Sequence, residues 1–335
     1  MFQITLKLRL CLIQLKLQSF TKRFQVNSNQ NLVIDQFMLS NSDTDFFPQL
    51  NIAFAVDQNY LKPCGVSIFS ILKNNPNINF DFHIFTNYFD SFGFDELLEK
   101  FKNFRVHVYK INTSYFDSLQ TTGHFTTAIY YRLSIASILK DNVEKYLYLD
   151  ADILCFSKLD ELLSINLENY ILAAVEDEFI RKDYIVNLGL SQNKKYFNSG
   201  VLFINTKSWL DFNLLEEFKR KISLRPYKYP DQDVLNIILQ DKIKFLDEKY
   251  NYFSNKDIYP VFKHFVSTPK PWSICVSNNL DYLNYYYESP WRNTPLDAPR
   301  NSKESKKYAI KLFKSNSLLK SFNWFLIYLR KKFNF

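Results

Sequence analysis

The run Tyr146-Leu147-Tyr148-Leu149-Asp150-Ala151-Asp152 sets two carboxylates at i, i+2 directly behind four apolar strand formers. In an extended backbone, residues two apart point to the same side. Asp150 and Asp152 can therefore face one point just past the end of a buried strand, the edge at which open α/β sheets bind ligands. Two convergent carboxylates repel each other unless a cation lies between them, and hard oxygen donors suit Mg²⁺ or Mn²⁺. The plainer alternative is a polar strand exit carrying two solvated aspartates.

Positioning such a pair requires a sheet, and the chain carries its pattern. Asn51 to Asp57 (NIAFAVD) is a continuous apolar run of strand length, followed by a helical pattern from Leu61 to Lys73 that Asn74-Asn75-Pro76 ends. Pro63 suits a first helical turn. Asn79 to Thr86 reads as a strand, Asp95 to Phe104 as a helix and Arg105 to Ile111 as a third strand. Ala128 to Leu139 reads as a helix carrying Tyr131 and Arg132, and Leu159 to Leu163 as a short one. Ile171 to Val175 is an apolar run ending in Glu176 and Asp177, and Asn198-Ser199-Gly200 opens another, Val201 to Ile204. Trp209 to Ile222 is patterned as one amphipathic helix. Asp231-Gln232-Asp233 precedes Val234 to Leu239, so one of the two aspartates is expected as an N-cap. Lys242 to Leu246 is a late strand. Strands alternating with helices predict βαβ units, an α/β fold and a largely parallel sheet.

The 335 residues suffice for a substantial core, and a hydrophobic fraction of 47% excludes a disordered chain. A formal charge of +8 favours an anionic partner: a phosphorylated ligand, an anionic membrane or a nucleic acid. Cys11, Cys64, Cys155 and Cys275 are scattered, with no CxxC or Cys-His cluster. Reduced thiols are therefore expected rather than a zinc site or a disulfide framework. No apolar run reaches the roughly 18 residues of a membrane span. Met1 to Phe20 is interrupted by Lys7, Arg9, Gln14 and Lys16 and does not read as a signal peptide. A cytoplasmic location follows as the expectation. Residues 1–50 are expected to hold at most a short helix or strand and no chemistry. From about Asp281 the chain turns aromatic and basic. Lys306, Lys307, Lys311, Lys314, Lys320, Arg330, Lys331 and Lys332 interleave with Tyr308, Leu312-Phe313, Trp324-Phe325 and Tyr328-Leu329. That is the composition of an interfacial amphipathic helix. The alternatives are a packed helix with a solvated basic face, or a nucleic-acid binder. No nucleic-acid motif accompanies the tail, so an anionic membrane is the expected partner and nucleic acid is not.

Several motifs fall in one order: FAVDQNY (54–60), Tyr131-Arg132, YLDAD (148–152), YFNSGVLFIN (196–205), PDQDVLN (230–236) and HFVSTPKPW (264–272), with SPWRNTPL (289–296) and the basic tail behind them. In these the chain resembles the retaining glycosyltransferases of family eight, and within them the bacterial lipopolysaccharide core glucosyl- and galactosyltransferases. The resemblance covers residues 51 to 335. It implies a GT-A type nucleotide-binding fold with a mixed, mainly parallel central sheet and a helical C-terminal extension. The implied divisions are 1–50 as an N-terminal extension, 51–275 as the glycosyltransferase domain and 276–335 as a membrane-associating extension. It implies a metal-dependent transfer of glucose or galactose from a UDP-sugar to a lipopolysaccharide core, on the cytoplasmic face of the inner membrane. The alternative is a degenerate member that binds the nucleotide-sugar without turning it over.

Carried onto this chain, the resemblance assigns the metal, Mn²⁺ or Mg²⁺, to Asp150, Asp152 and His264. It assigns uridine to Ala55, Asp57, Asn59 and Tyr60: Asp57 accepts from the uracil N–H and Tyr60 stacks on the base. Ala151 lies on the donor within the Asp-Ala-Asp turn, Lys270 serves the diphosphate, and Arg132 touches the sugar and organises the aspartates. Ser267 stands where the family usually has glycine, so the local backbone path there departs from the pattern. Asn198 and Asp231 hold the hexose. Gln232 falls at the nucleophile-side position. Its neutral amide is a poor nucleophile, which favours front-face transfer over a double displacement.

Overall fold

Leu50–Val56 is apolar on both faces, as a strand covered on both sides must be. It lies at the centre of the first of two units, Met1–His264 and Phe265–Phe335, into which the computed structural model divides. The structure describes residues 21–23, 32–41, 46–117, 119, 127–277 and 279–333. Within the first unit the strands are β1 (Thr21–Arg23), β2 (Val33–Ser40), β3 (Leu50–Val56), β4 (Phe80–Thr86), β5 (Phe104–Ile111), β6 (Lys145–Leu149), β7 (Ile153–Cys155), β8 (Leu172–Glu176), β9 (Phe197–Asn205), β10 (Ile243–Leu246) and β11 (Phe262–His264). Nine of them form one sheet in the order β1-β2-β5-β4-β3-β6-β9-β8-β10, and β7 pairs with β11. The central block β5-β4-β3-β6 is parallel. Only β2 and β9 run against the common direction, so the described sheet is mixed and mainly co-directional.

The N-terminal extension contributes more than expected. β2 pairs with β5 from Val33–Ile111 to Ser40–Arg105 and extends the sheet, and β1 pairs with β2 in turn. The alternation of VIDQFMLS is imperfect and most of its residues are only partly buried, which hides the strand from a periodicity reading. Two expected helices are also broken. Residues 127–134 form a 3₁₀ segment ahead of the helix Ile135–Leu139. The run 209–222 is interrupted at Asn213, whose φ of 53° separates the helices Thr206–Asp211 and Leu214–Ile222. Asparagine tolerates that left-handed conformation at low cost. Helix α1 (Gln58–Asn74) follows β3, with Asp57 as its N-cap. Helix α2 (Pro230–Leu239) is buried on nearly every face and packs against β9.

Midway along the parallel block, β4 and β5 pair His83 with His107, their rings stacked 4.9 Å apart. Beside them Asp81 receives Arg105 through bonds of 2.7 and 2.6 Å, and His107 at 3.3 Å. Burial, reinforced by the neighbouring His107, pulls His83 down to about 3. Burial alone would raise the Asp81 carboxyl, but bonds from His107 and Arg105 hold it well below the usual range. An unfolded histidine titrates near 6.5. Between that value and about 3 the unfolded chain binds a proton that folded His83 refuses, so His83 stabilises the fold above pH 6.5 and loses that contribution as pH falls. Denaturant unfolding should show stability falling by about 2–3 kcal/mol from this group between pH 7 and 4. His83→Gln should flatten that slope. An unchanged slope in the variant would refute the assignment.

In the second unit, α3 (Leu280–Glu288) is followed by α4 (Ser302–Lys314) and α5 (Leu318–Phe333). Small residues make the α4–α5 contact: Ser305, Ala309 and Ser321 are buried, and the Ser321 hydroxyl donates to the Ala309 carbonyl at 2.8 Å. Tyr308 and Trp324 meet edge to face at 5.1 Å. With small side chains inward, large apolar ones point out: Phe313, Leu319 and Phe322 are 63%, 84% and 61% exposed. No described helix is long and apolar enough to cross a membrane.

Candidate active site

β6 delivers Asp150 and Asp152 where its ladder with β9 ends, the Asp150 N–H donating to Gly200 C=O at 2.8 Å. The turn feeds directly into β7, whose Ile153 lies opposite His264 in β11. His264 Nε2 comes to 3.3 Å from an Asp152 oxygen and 4.0 Å from an Asp150 oxygen. One donor atom from each of the three lies within 4.8 Å of the others. Asp152 and His264 are buried and Asp150 is partly exposed. Two carboxylate oxygens and an imidazole nitrogen thus converge on one point. The set is chemically suited to a divalent cation, and Mn²⁺ accepts both donor types.

Arg132 braces the cluster. Its guanidinium is 5% exposed and lies 4.4 Å from the Tyr148 ring. It donates to Asp150 Oδ1 at 2.9 Å and to Ser199 C=O at 2.9 Å, and pairs with Asp231 Oδ2 at 3.0 Å. Tyr148 donates its hydroxyl to the same Asp150 oxygen at 2.8 Å. Burial works against the charge of Arg132, but Tyr148, Asp150 and Asp231 more than restore it and hold the guanidinium above its ordinary value. One cation thus links Asp150 to the α2 end of the site.

That end is built from β8, the start of β9 and α2. Gln232 accepts from the Ser199 N–H at 3.0 Å and donates to Asp177 at 3.4 Å. Asp231 accepts from the Ser199 hydroxyl at 3.1 Å. Burial raises the Asp177 carboxyl despite bonds from Asn198, Phe179 N–H and Gln232. Neither Asp231 nor Asp233 caps α2, contrary to expectation. The helix begins at Pro230 behind Tyr229, which makes no side-chain cap. Asp233 sits inside the first turn, fully buried, accepting from the Tyr184 and Tyr196 hydroxyls and from the Tyr229 N–H. It anchors the helix that carries Gln232.

Asn198 is nearly saturated. Its Oδ1 accepts from Gly200 N–H and Asn251 Nδ2, both at 2.9 Å, and its Nδ2 reaches Asp177 at 3.5 Å. A carboxamide oxygen has two lone pairs, so only an amide hydrogen remains to meet a ligand. Gly200 is required sterically: a Cβ there would stand 2.3 Å from His264 Cε1. Asn251 is held beside His264 by Tyr252, whose N–H donates to Phe262 C=O and whose C=O accepts from His264 N–H, each at 2.8 Å. Tyr148, Ser199, Gly200 and Asn251 were not singled out from the sequence. Gly200, two residues after Asn198 in a chain with only five glycines, was the one signal that could have been used.

β3 and β6 pair Ala53 with Tyr148, so the same register carries Ala55 toward the level of Asp150. Asp57 uses Oδ1 to cap α1, accepting from Asn59 N–H at 2.9 Å and Tyr60 N–H at 3.3 Å. Asn59 is exposed, Tyr60 partly so, and Ala151 is buried in the Asp-Ala-Asp turn. Lys270 and Ser267 belong to the second unit, where the Lys270 ammonium donates to Phe265 C=O at 3.0 Å.

Known proteins are similar to this chain in sequence and in fold. The model of glycosyl transferase family 8 matches residues 51–274, and that of the family 8 C-terminal region matches residues 279–332. The chain is 35% identical over 310 residues to lipopolysaccharide glucosyltransferase WaaO of Escherichia coli K12, covering 84% of this chain and 91% of that protein. It is 32% identical over 326 residues to lipopolysaccharide 1,3-galactosyltransferase of Salmonella typhimurium, covering 89% and 95%. Among solved structures, the galactosyltransferase LgtC in complex with donor and acceptor sugar analogs superposes with a TM-score of 0.62 at 22% identity, covering 72% of this chain and 96% of that one. The fold is therefore GT-A.

Proposed function

The chain belongs to glycosyl transferase family 8 and is a glycosyltransferase; from that premise we propose that it moves glucose or galactose from a UDP-sugar to a lipopolysaccharide core, with a divalent metal and with retention. The observation that carries this reading is the convergence of Asp150, Asp152 and His264, tied through Arg132 to Asp231. Asp150, Asp152 and His264 would hold the metal, Mn²⁺ before Mg²⁺ because one donor is an imidazole. When bound, the metal neutralises charge on the departing diphosphate. At the end of β3, Ala55, Asp57, Asn59 and Tyr60 would take the uridine, and Lys270 a phosphate. The alternative of a binder without turnover is disfavoured because the acidic pair, His264 and Gln232 are all in place.

The arrangement favours front-face transfer. Asp231 is ion-paired to Arg132, and Gln232, held between Ser199 N–H and Asp177, is neutral. Neither is a free anion for attack on the anomeric carbon. The acceptor hydroxyl would form its bond to that carbon on the face from which the diphosphate leaves. The breaking C–O pair goes to the nucleotide, and the hydroxyl proton to a phosphate oxygen. The Gln232 carbonyl would stabilise the oxocarbenium-like charge, and Asp231 and Asn198 would orient the hexose. Beside the cluster, Phe179 and Phe253 pack 5.6 Å apart in a cleft that Glu176 and Asn251 also line, a surface suited to an acceptor sugar. Transfer from UDP-glucose and UDP-galactose with Mn²⁺ to truncated cores, read by mass spectrometry, should add one hexose. Absence of transfer from either donor would reject the reading.

Because the Gln232 contact strengthens in the transition state, Gln232→Ala should lower kcat by roughly 10–100-fold with UDP affinity little changed. Equal losses in kcat and affinity would show a ground-state contact instead. A trapped glycosyl adduct on Asp231 or Glu176 would overturn front-face transfer.

The exposed apolar residues of α4 and α5 lie among lysines and arginines, which supports attachment to an anionic membrane; such attachment would bring the enzyme to a lipid-linked acceptor at the cytoplasmic face of the inner membrane. Lys311 and Lys331 donate to backbone carbonyls and are committed to the protein. The remaining basic side chains are each worth about 1 kcal/mol near such a surface. Deleting the chain after Ser302 should abolish flotation with anionic liposomes at low salt and leave UDP-sugar hydrolysis intact. Equal flotation of both forms would show the helices to be structural only.

A further inference from the structure

Asn251 belongs to none of the motifs used above, yet it is 1% exposed and lies between Asn198 and His264. Its orientation follows from groups that can act in only one way. The Gly200 backbone N–H can only donate, and it points at Asn198 from 2.9 Å, so the atom it meets is the Asn198 carbonyl oxygen. On the other side, the Asp177 carboxylate at 3.5 Å suits the Asn198 NH₂. The contact of 2.9 Å between Asn251 and that same Asn198 oxygen must then come from the Asn251 NH₂. The Asn251 oxygen is left facing His264 Nδ1 at 2.9 Å, where it can only accept. A neutral imidazole carries one proton. With that proton on Nδ1, the lone pair is on Nε2, the nitrogen that faces Asp152 and Asp150.

We infer that Asn251 is a positioning residue: anchored through Asn198 to the Gly200 backbone N–H, it fixes the tautomer and ring orientation in which His264 can ligate a metal. The inference rests on the metal reading of Asp150, Asp152 and His264. It assigns the Asn198 carbonyl to the frame of the site. It also gives Gly200 two tasks, supplying the anchoring N–H and leaving room for the imidazole.

The test uses the full chain with Mn²⁺ alone. Free Mn²⁺ is measured by electron paramagnetic resonance, and nitrogen coupling to bound Mn²⁺ by its pulsed form, with His264→Ala identifying the imidazole signal. Asn251→Leu keeps the volume but offers no acceptor. It should weaken Mn²⁺ binding roughly 10–100-fold, the usual cost of losing such a partner, and lose the nitrogen coupling at saturating Mn²⁺. Asn251→Asp gives up the NH₂ that meets Asn198 but still accepts from Nδ1–H, so it should bind Mn²⁺ more tightly than Asn251→Leu and keep the coupling. Loss of coupling in both variants would mean that the acceptor at Nδ1 does not set the tautomer, and full retention in Asn251→Leu would mean that Asn251 does not position His264; either overturns the inference alone. Wild-type protein that fails to bind Mn²⁺ would overturn the metal reading and the inference with it.

Discussion

Asp152→Asn is expected to lower Mn²⁺-dependent sugar transfer by about a thousandfold or more. Asparagine preserves the size of the side chain and removes its negative charge. Asp152 is 7% exposed, and one of its oxygens lies 3.3 Å from His264 Nε2. A metal acting as Lewis acid contributes several kcal/mol to a transition state, and each 1.36 kcal/mol is tenfold in rate, so losing about 4 kcal/mol accounts for the factor. Stability should hold, because the variant relieves the crowding of anionic oxygens and leaves the Arg132 ion pairs in place. Asp150→Asn is the less clean experiment, since Asp150 also serves Arg132 and Tyr148. Transfer and thermal melting measured together decide the matter. A folded Asp152→Asn enzyme with wild-type, metal-responsive activity would refute the assignment.

Arg132→Met should act first on the fold. The guanidinium is almost fully buried and pairs with two carboxylates, one of which, Asp231, is itself 6% exposed. Removing one partner of a buried ion pair costs about 3–5 kcal/mol, because the anion left behind keeps its desolvation penalty. In a unit of this size that corresponds to a melting temperature lower by roughly 10 °C. Arg132→Lys should recover only part of the loss, since a single ammonium cannot fork between Asp150, Asp231 and the Ser199 carbonyl at once. Calorimetry on the three proteins provides the check. A Met variant that melts with the wild type would show that the clamp contributes nothing to stability.

What could be read from the sequence followed the range of each interaction. Asp150 and Asp152 were legible because the two-residue period of a strand fixes their direction without tertiary information. The β3–α1 and β4 segments were legible for the same reason, their apolar runs being longer than any turn. His264 is different: nothing local separates it from the other histidines, and it was found only through the resemblance. Asn251 was not legible at all. Its partners lie at positions 198 and 264, and side-chain bonds over such separations leave no periodic trace. The break at Asn213 was masked by an apolar pattern that continues through it, and β2 by polar residues on a strand that is only partly covered. Asp233 looked like a cap because aspartate before a helix usually is one; burial among three tyrosines gave it another task.

The ribbon of β7 and β11 has a consequence for the order in which the protein assembles. Each strand has three residues, and together they join parts of the chain about a hundred residues apart. Closing so long a loop costs entropy that grows with its length, and three ladder positions return little of it. The ribbon therefore belongs among the late steps of folding, after β3 to β6 and β9 have fixed where Asp150 stands. A slip of one residue in its register would turn His264 to the opposite face and leave both aspartates without an imidazole. A cation gathered by all three side chains would reward only the in-register ribbon, so metal binding would select the correct closure from its near neighbours. In the metal-free protein the amides of Phe262 to His264 should then open to solvent exchange well before those of the central strands.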